Sequence, residues 1–313
     1  MQYMLKFEDN YLLKNITTLQ IGGPAKKFVE VYSVDELIEA IKYAKDNNPP
    51  AGGGFLVIGG GSNLLVSDEG INFLIIQNKI TGIASQGQAL RVQSGTILQD
   101  LVDYSIQHGL SGLQKLTGIP GTVGGAVYGN AGAYGQTISD NIISVATPGN
   151  TLSKDECEFN YRDSIFKRNK LPILEVTFEL EKGNSRLLQK EADEVLKKRL
   201  VKYPPGIKCP GSFFKNIVAS TLTKEILDKI PPEKIVYGKL PAGSLLEEVD
   251  AKGDSLDGIY IADYHANLFI NKDSGTAKAF YDLAKKYAEL VKERFGITLE
   301  PEVQLINLPP LFS

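Results

Sequence analysis

An α+β fold of two or three domains is what this 313-residue chain predicts. Three observations carry that expectation. Short apolar strand patterns alternate with amphipathic helical ones. The length exceeds what one hydrophobic core serves. Two separated glycine-rich runs, Ile58–Leu65 (IGGGSNLL) and Thr117–Gly135 (TGIPGTVGGAVYGNAGAYG), interrupt the pattern. Seven of the nineteen residues in the second run are Gly, three are Ala and none is charged. Glycine loses the most backbone entropy on ordering, so neither a helix nor an ordinary strand is expected there. A loop that brings main-chain N–H groups close to a bulky anionic ligand is expected instead. Two such loops point to a long ligand with a diphosphate in its middle.

The elements follow in order. Ser33-Val34-Asp35-Glu36 is a capping box, and Leu37, Ile38, Ile41 and Ala44 come after it at helical spacing, which predicts a helix over 34–46. Asn47-Asn48-Pro49-Pro50 stops it, and glycines 52–54 lead into the strand Phe55-Leu56-Val57-Ile58. Phe73-Leu74-Ile75-Ile76 reads as a second buried strand. A helix is expected around 97–108, ending before Gly109, then strands near 142–147 and 171–181, then helix-forming residues over 185–202. Tyr203-Pro204-Pro205-Gly206 breaks that helix and marks a domain boundary. Beyond it Leu222–Ile230 looks helical. Ala277–Phe295 is the clearest helix, with Phe280, Leu283, Ala284, Tyr287, Leu290 and Val291 on one face, Ser274 or Thr276 at its start and Gly296 at its end.

Composition narrows the function classes. A hydrophobic content of 42% and a charged fraction of 23% are those of a soluble globular protein. A net charge of −3 with scattered Lys and Arg argues against a nucleic-acid surface. No apolar run approaches the roughly 18 residues of a membrane span, and MQYMLKFEDN lacks the signal-peptide pattern. Cys157 and Cys209 are the only cysteines, which argues against a disulfide framework and for the cytosol. His108 and His265, the only histidines, have no metal-ligand spacing, so no metal site is expected. Catalysis would then rest on other side chains or on an organic cofactor.

The first glycine run is not a Rossmann fingerprint, because Leu64 stands where the third glycine belongs. About twenty residues on, Gln77, Asn78 and Lys79 offer no acid for a ribose hydroxyl. No Gly-Lys-Ser/Thr follows, so it is not a P-loop. A structural turn is the plain alternative for three glycines. Ser62 and Asn63 shift the balance by placing short polar groups beside N–H donors, an environment for phosphate oxygens.

GGGSNLL and GIPGTVGGAVYGNAGAYG resemble the flavin-binding signatures of the UDP-N-acetylenolpyruvoylglucosamine reductase (MurB) family. Further signatures come in the family's order: Ile21-Gly22-Gly23-Pro24-Ala25, then Tyr161-Arg162-Asp163-Ser164-Ile165-Phe166-Lys167, then Gly211-Ser212-Phe213-Phe214-Lys215-Asn216, then FGITLEPEVQLI from Phe295 to Ile306. The resemblance covers nearly the whole chain. It implies a two-subdomain FAD-binding fold of the vanillyl-alcohol-oxidase (PCMH) type plus a C-terminal α+β substrate-binding domain. The expected division is 1–80 with 297–313 returning to it, 81–205, and 206–296.

The chemistry it implies runs from NADPH to non-covalent FAD and then, as hydride, to the enolpyruvyl double bond of UDP-N-acetylglucosamine enolpyruvate, giving UDP-N-acetylmuramate for peptidoglycan. Flavin performs the hydride chemistry, so the protein must bind, orient and stabilise charge. Hydride addition leaves negative charge on the adjacent carbon and its carboxylate. Arg162 is the candidate cation for that carboxylate, with a salt bridge to Asp163 as the structural alternative. Ser212 is the expected proton donor; a turn residue is the alternative. The resemblance places a catalytic acid at Glu302. If Leu299–Val303 is a strand, Glu300 and Glu302 share one face, and their repulsion would help keep one protonated; two solvated acids are the alternative.

The residues expected to hold FAD are Gly59, Gly60, Gly61, Ser62, Asn63 and Leu64 in the first loop. In the second they are Ile119, Pro120, Gly121, Thr122, Gly124, Gly125, Ala126, Asn130, Gly132, Ala133 and Tyr134. Tyr161, Asn216, Lys239 and His265 are expected substrate contacts, and Lys208 is a second candidate for the UDP diphosphate. Cys157 reads as packing. A monomer is expected, with no nucleic-acid or membrane partner. The chain departs from the family pattern at Gln114, where Glu is usual, at Ser244, where a large residue is usual, and at Ile217, where proline is common. The long connection from Asn216 to Leu240 resembles the type I enzymes. Another FAD oxidoreductase of the same superfold, or a flavin-binding protein without turnover, are the competing readings; neither needs Arg162, Ser212 and Glu302 together.

Overall fold

Four strands, Phe7–Leu12, Pro24–Val31, Ile71–Asn78 and Phe55–Ile58, lie side by side in that order in the computed structural model, which describes residues 5–47, 54–228 and 230–312. Phe55–Ile58 runs parallel to Ile71–Asn78, with Phe55 opposite Leu74. The helix Val34–Asn47 buries Leu37, Ala40, Ile41 and Ala44 among Val29, Val31, Leu74 and Ile76. It begins as the sequence predicts: the Ser33 hydroxyl accepts the Glu36 N–H at 3.2 Å. Two details differ. The Glu36 carboxylate reaches Tyr32 N, not Ser33 N, and Ile38 faces solvent. The expected breaker at 48–50 and the glycines 52 and 53 lie outside the described residues.

An antiparallel five-stranded sheet follows, ordered Asn150–Ser153, Ile142–Thr147, Glu175–Glu179, Ala89–Gln93, Ile83–Gln86. Leu90, Val92, Val145, Val176 and Phe178 form its buried side with the helix Leu98–Gln107, which presents Leu98, Leu101, Val102 and Ile106. The long strand expected over 171–181 is shorter: Glu175–Glu179 belongs to the sheet, and Glu181–Lys182 pairs separately with Leu110–Ser111. Pro172 suits the stretch before the ladder because it has no N–H to give.

The glycine run corrects the expectation that it could not be helical. Val123–Tyr128 is a short helix, and the Thr122 hydroxyl caps it by accepting the Gly125 N–H. Packing decides against propensity here. A Cβ on Gly124 would stand 2.9 Å from the Ser94 carbonyl oxygen, and the Gly124 N–H donates to that same oxygen at 2.8 Å. Only glycine lets this helix approach the strand end so closely.

The chain divides into two compact units. One comprises the described residues of Met1–Tyr11, Ala25–Gly60 and Asn72–Tyr203; the other those of Leu12–Pro24, Gly61–Ile71 and Pro204–Ser313. The chain thus leaves the first unit between Tyr203 and Pro204, where the helix Ser185–Lys202 ends.

In the second unit the helix Ala277–Phe295 carries the core. Thr276, not Ser274, caps it, and the Asp68 carboxylate adds two bonds, accepting Ala277 N at 2.9 Å and Lys278 N at 3.0 Å. Gly296 closes it at φ +71°. Leu290 lies at its exposed edge, outside the buried stripe. The helix covers the antiparallel strands Ser255–Leu256, Ile259–Ile261 and Phe269–Asn271. Phe213, Phe214, Phe269 and Phe280 form one aromatic cluster, with Phe213 and Phe214 edge to face at 4.7 Å. The expected helix over 222–230 is only one turn, Lys224–Leu227. Its apolar residues are half-buried packing partners, too sparse to bury a longer helix.

Leu299–Val303 is not a strand. The strand comes after it: Gln304–Ile306 runs parallel to Leu64–Val66, with Gln304 opposite Leu64. Leu299 and Val303 are buried, while Pro301 cannot join a ladder through its nitrogen.

Candidate active site

Gly59 and Gly60 meet the second glycine loop backbone to backbone within the first unit. A Cβ on Gly59 would lie 2.2 Å from the Thr122 hydroxyl oxygen, and one on Gly60 would lie 2.8 Å from the Gly121 Cα. Any side chain at either position would push the loops apart. Among the described residues no internal hydrogen bond engages the N–H group of Gly60. The second loop is less open than the sequence suggests. The N–H groups of Ile119, Val123, Gly124 and Ala126 are held by carbonyls of Leu116, Thr96, Ser94 and Thr122. The second loop therefore offers fewer donors than its glycine count implies.

Farther along it, Asn130 is 5% exposed and in a left-handed conformation, φ +43°. Its Nδ2 donates to Asn160 O at 2.8 Å, whereas its buried Oδ1 has no partner among the described residues. A buried acceptor left unpaired costs about 1–3 kcal/mol, a cost that a ligand N–H would remove. A cradle that only glycine permits, with an open backbone donor at Gly60 and a buried acceptor at Asn130, fits a flavin nucleotide.

Arg162 stands against this loop. It occupies a tight turn closed by two bonds between Asn160 and Asp163, each 3.1 Å. Its own φ of +54° costs a non-glycine residue roughly 1–2 kcal/mol. The guanidinium donates to Gly132 O at 2.8 Å and Asn130 O at 3.4 Å, and it lies 5.4 Å from the Tyr161 ring centre. The alternative of a salt bridge to Asp163 loses its main support, because the Asp163 carboxylate pairs with Arg168. Lys167 Nζ donates to Arg162 O at 3.1 Å, and Ser164 caps the helix Ile165–Asn169 while donating to Tyr128 O. The turn bearing Arg162 is thus held by the Asn160–Asp163 bonds and by Lys167, and Ser164 caps the helix that follows it.

A second cation was not singled out from sequence. Arg199, on the helix Ser185–Lys202, has a buried Nε without a partner among the described residues. Burial, with the charge of Arg162 adding to it, lowers its proton affinity. Tyr203 stacks 5.4 Å from it. Nothing in an (R/K)-rich helix end distinguishes Arg199 from Lys197 or Lys198 until the fold turns it inward.

In the second unit, Ser212, Phe213 and Phe214 form a short extended stretch between two other segments. Ser212 bridges antiparallel to Leu268, and Phe214 to Pro301. Phe213 N donates to Asn267 O at 3.0 Å, and Glu302 N donates to Phe213 O at 2.7 Å. The structure therefore puts Ser212 and Glu302 on adjoining backbones, 90 positions apart in sequence. Glu302 is itself tied to the first glycine loop: Asn63 Nδ2 donates to Glu302 O at 3.1 Å, and Gln304 N donates to Asn63 O at 3.0 Å. Glu300 does not act as a face-sharing partner of Glu302; its exposed carboxylate pairs with Lys215 at 3.1 Å.

Asn216 accepts Ala242 N through Oδ1 at 3.2 Å. The next residues, Ile217–Val218, pair with Lys239–Leu240, so the long connection between them returns to its start and places Lys239 opposite Val218. His265 Nδ1 accepts Asn267 N at 3.1 Å, which fixes that nitrogen as the unprotonated one. Lys208 contributes its carbonyl to Asn271 N.

The departures from the family pattern have local roles. Gln114 joins Gly112 N to the Glu191 carboxylate. Ser244 donates to Pro241 O within its own helical turn. The Cys157 thiol is fully buried and is pushed up to about 12 by burial, assisted by the Glu156 charge. It packs and does not ionise. Among the described residues no cluster of three metal-ligating side chains occurs, and no helix is long and apolar enough to cross a membrane.

Comparison with known proteins gives the chain's family. Residues 25–147 match the family described as FAD binding domain. Residues 203–306 match the one described as UDP-N-acetylenolpyruvoylglucosamine reductase, C-terminal domain. A UDP-N-acetylenolpyruvoylglucosamine reductase of Solibacter usitatus is 39% identical over 296 residues, covering 93% of this chain and 94% of the relative. One of Bacillus cereus, numbered 2, is 36% identical over 306 residues, covering 96% and 92%. The crystal structure of the reductase from Thermus caldophilus superposes with a TM-score of 0.76 at 30% identity, covering 97% of this chain and all of that one. The α+β class and the FAD-dependent oxidoreductase assignment both stand. The chain belongs to the UDP-N-acetylenolpyruvoylglucosamine reductase family.

Proposed function

We propose that this flavoenzyme uses NADPH to reduce the enolpyruvyl group of UDP-N-acetylglucosamine enolpyruvate, with Ser212 as proton donor. The observation that carries the proposal is the tie of Ser212 and Glu302 to one peptide. Glu302 N bonds the carbonyl of Phe213, the residue next to Ser212. A serine hydroxyl is a weak acid and protonates only a strongly basic carbon. A neighbouring carboxyl group is the kind of partner that would stabilise the developing charge.

Bound FAD would supply the hydride chemistry, between NADPH and the enolpyruvyl double bond. The chain's own residues do the rest. Gly59–Leu64 and Ile119–Tyr134 would hold FAD, through the N–H group of Gly60 and the buried Oδ1 of Asn130. Arg162, whose planar fork suits a carboxylate, would bind the substrate carboxylate while negative charge grows on it. Ser212 Oγ would pass its proton to the adjacent carbon. Glu302 would act as the acid that supports the charge. Tyr161, Asn216, Lys239 and His265 would contact the UDP-sugar, Lys239 as a point charge toward the diphosphate. The proposed organisation keeps FAD-binding parts at 1–80 with 297–313 and at 81–205, and a substrate domain at 206–296. The protein would act as a monomer in the cytosol.

The anaerobic visible spectrum tests this directly. Addition of NADPH should bleach the flavin band, and UDP-N-acetylglucosamine enolpyruvate should restore it. A band that bleaches but stays bleached would discard the substrate while keeping the FAD-dependent oxidoreductase.

A further inference from the structure

A serine flanked by a glycine and two phenylalanines has no intrinsic reason to hold one position. Gly211 before it adopts φ +90° with no atom near a would-be Cβ, so the chain reaches Ser212 through a permissive link. What fixes the stretch must come from its neighbours. On one side Glu302 N takes the Phe213 carbonyl and Lys215 N takes the Glu300 carbonyl. On the other side stands Asn267, 2% exposed.

Asn267 makes three contacts with the segment. Its backbone carbonyl accepts Phe213 N at 3.0 Å. Its side-chain Oδ1 accepts Phe214 N at 2.8 Å, and its Nδ2 donates to Phe214 O at 2.8 Å. The amide thus serves both polar groups of one residue, as a ladder partner would. An amide on a one-carbon stem is the shortest side chain that offers a donor and an acceptor in one plane. A carboxylate of the same shape would set oxygen against the Phe214 carbonyl. The clamp is anchored in turn, because Asn267 N donates to His265 Nδ1. The Phe213 and Phe214 rings are locked in the aromatic cluster, so a shift of this backbone cannot be absorbed by the side chains beyond it.

We propose that Asn267 is a positioning residue for Ser212: its amide clamps Phe214 and thereby sets the register of the Ser212 hydroxyl against the Glu302 backbone. This rests on the reading of Ser212 as proton donor. Loss of the clamp should misplace the hydroxyl without touching the flavin, and a displacement near 1 Å is enough to cost about 100-fold in rate.

The test uses the holoenzyme carrying Asn267→Asp, which keeps the shape and reverses one hydrogen bond, and Asn267→Ser as a second variant. Flavin reduction by NADPH should be unchanged. Reoxidation by UDP-N-acetylglucosamine enolpyruvate should slow by about 100-fold, with a larger solvent deuterium isotope effect because proton delivery becomes limiting. Amide hydrogen exchange at Phe213, Phe214 and Glu302 should speed up. Equal losses in both half-reactions, or normal reoxidation in a folded variant, overturn the proposal. So does failure of both variants to yield folded flavoprotein, which assigns Asn267 to stability alone. If the wild-type holoenzyme is not reoxidised by this substrate, the reaction itself is wrong; exchange then scores the clamp separately, and unchanged rates at Phe214 overturn it.

Discussion

Asn63 and Glu302, 239 residues apart, are joined by a 3.1 Å hydrogen bond from the side-chain amide of one to the backbone carbonyl of the other. The bond is reinforced by Gln304 N on Asn63 O, where the parallel pairing of Gln304–Ile306 with Leu64–Val66 begins. Asn63, in the first glycine run, and the segment bearing the candidate acid are therefore tied together. Asn63, expected among the cofactor contacts, also holds the backbone of the segment that bears Glu302.

Replacing Asn63 by Ala should consequently affect two properties at once. Removal of one partly buried bond is worth about 1 kcal/mol. We expect weaker FAD retention and a roughly fivefold slower reoxidation by the enolpyruvyl substrate, since about 1 kcal/mol corresponds to a factor of about five. Flavin titration and stopped-flow absorbance measure the two separately. Weakened FAD binding with normal reoxidation at saturating FAD would sever the coupling.

Ser212→Ala removes the proposed proton and leaves the backbone ties of Phe213 intact. NADPH should reduce the flavin of this variant normally, while reoxidation slows by about 100-fold or more, the scale of lost general acid catalysis. Glu302→Gln should show the same division between half-reactions. A Glu302→Gln enzyme that reoxidises normally would show that another carboxyl group does the work.

Gly60→Ala probes the cradle. Its Cβ would meet the Gly121 Cα at 2.8 Å, a backbone atom that cannot swing away. Overpacking of this kind costs about 1–3 kcal/mol. The purified protein should lose bound flavin and melt at lower temperature. Full flavin occupancy with an unchanged melting temperature would mean that the loops part without consequence.

Asp254 gives a pH prediction in the second unit. Hydrogen bonds from Lys286 Nζ and the Tyr287 hydroxyl, both 2.8 Å, hold its carboxyl below the ordinary carboxylate range. A lowered value means that the folded state binds its proton less readily than the unfolded chain does. The stabilisation is therefore present above the unfolded value, about 3.9, and is lost as pH falls through the lower folded one. The pair is partly exposed, so Asp254→Asn should lower the melting temperature at pH 7 by only on the order of 2 °C. The difference from wild type should shrink below about pH 4. A constant gap down to pH 2 would assign the effect to shape, not charge.

The elements that the sequence states in local terms were legible. The Ser33 cap and its apolar spacing defined Val34–Asn47, and the stripe from Phe280 to Val291 with Gly296 behind it defined Ala277–Phe295, because capping and periodicity act within one or two turns. Motif order likewise carried the family. Tertiary structure alone decided the rest. Gly124 became helical because the strand end at Ser94 supplies a partner that no propensity encodes. Leu222–Ile230 shrank to one turn because too little apolar surface lies against it to hold more. The bonds of Glu302 to Phe213 and Asn63, and of Asn267 to Phe214, join segments separated by tens to hundreds of residues. Such pairings arise only when the chain closes long loops around shared cores, an event whose outcome no local window of sequence contains.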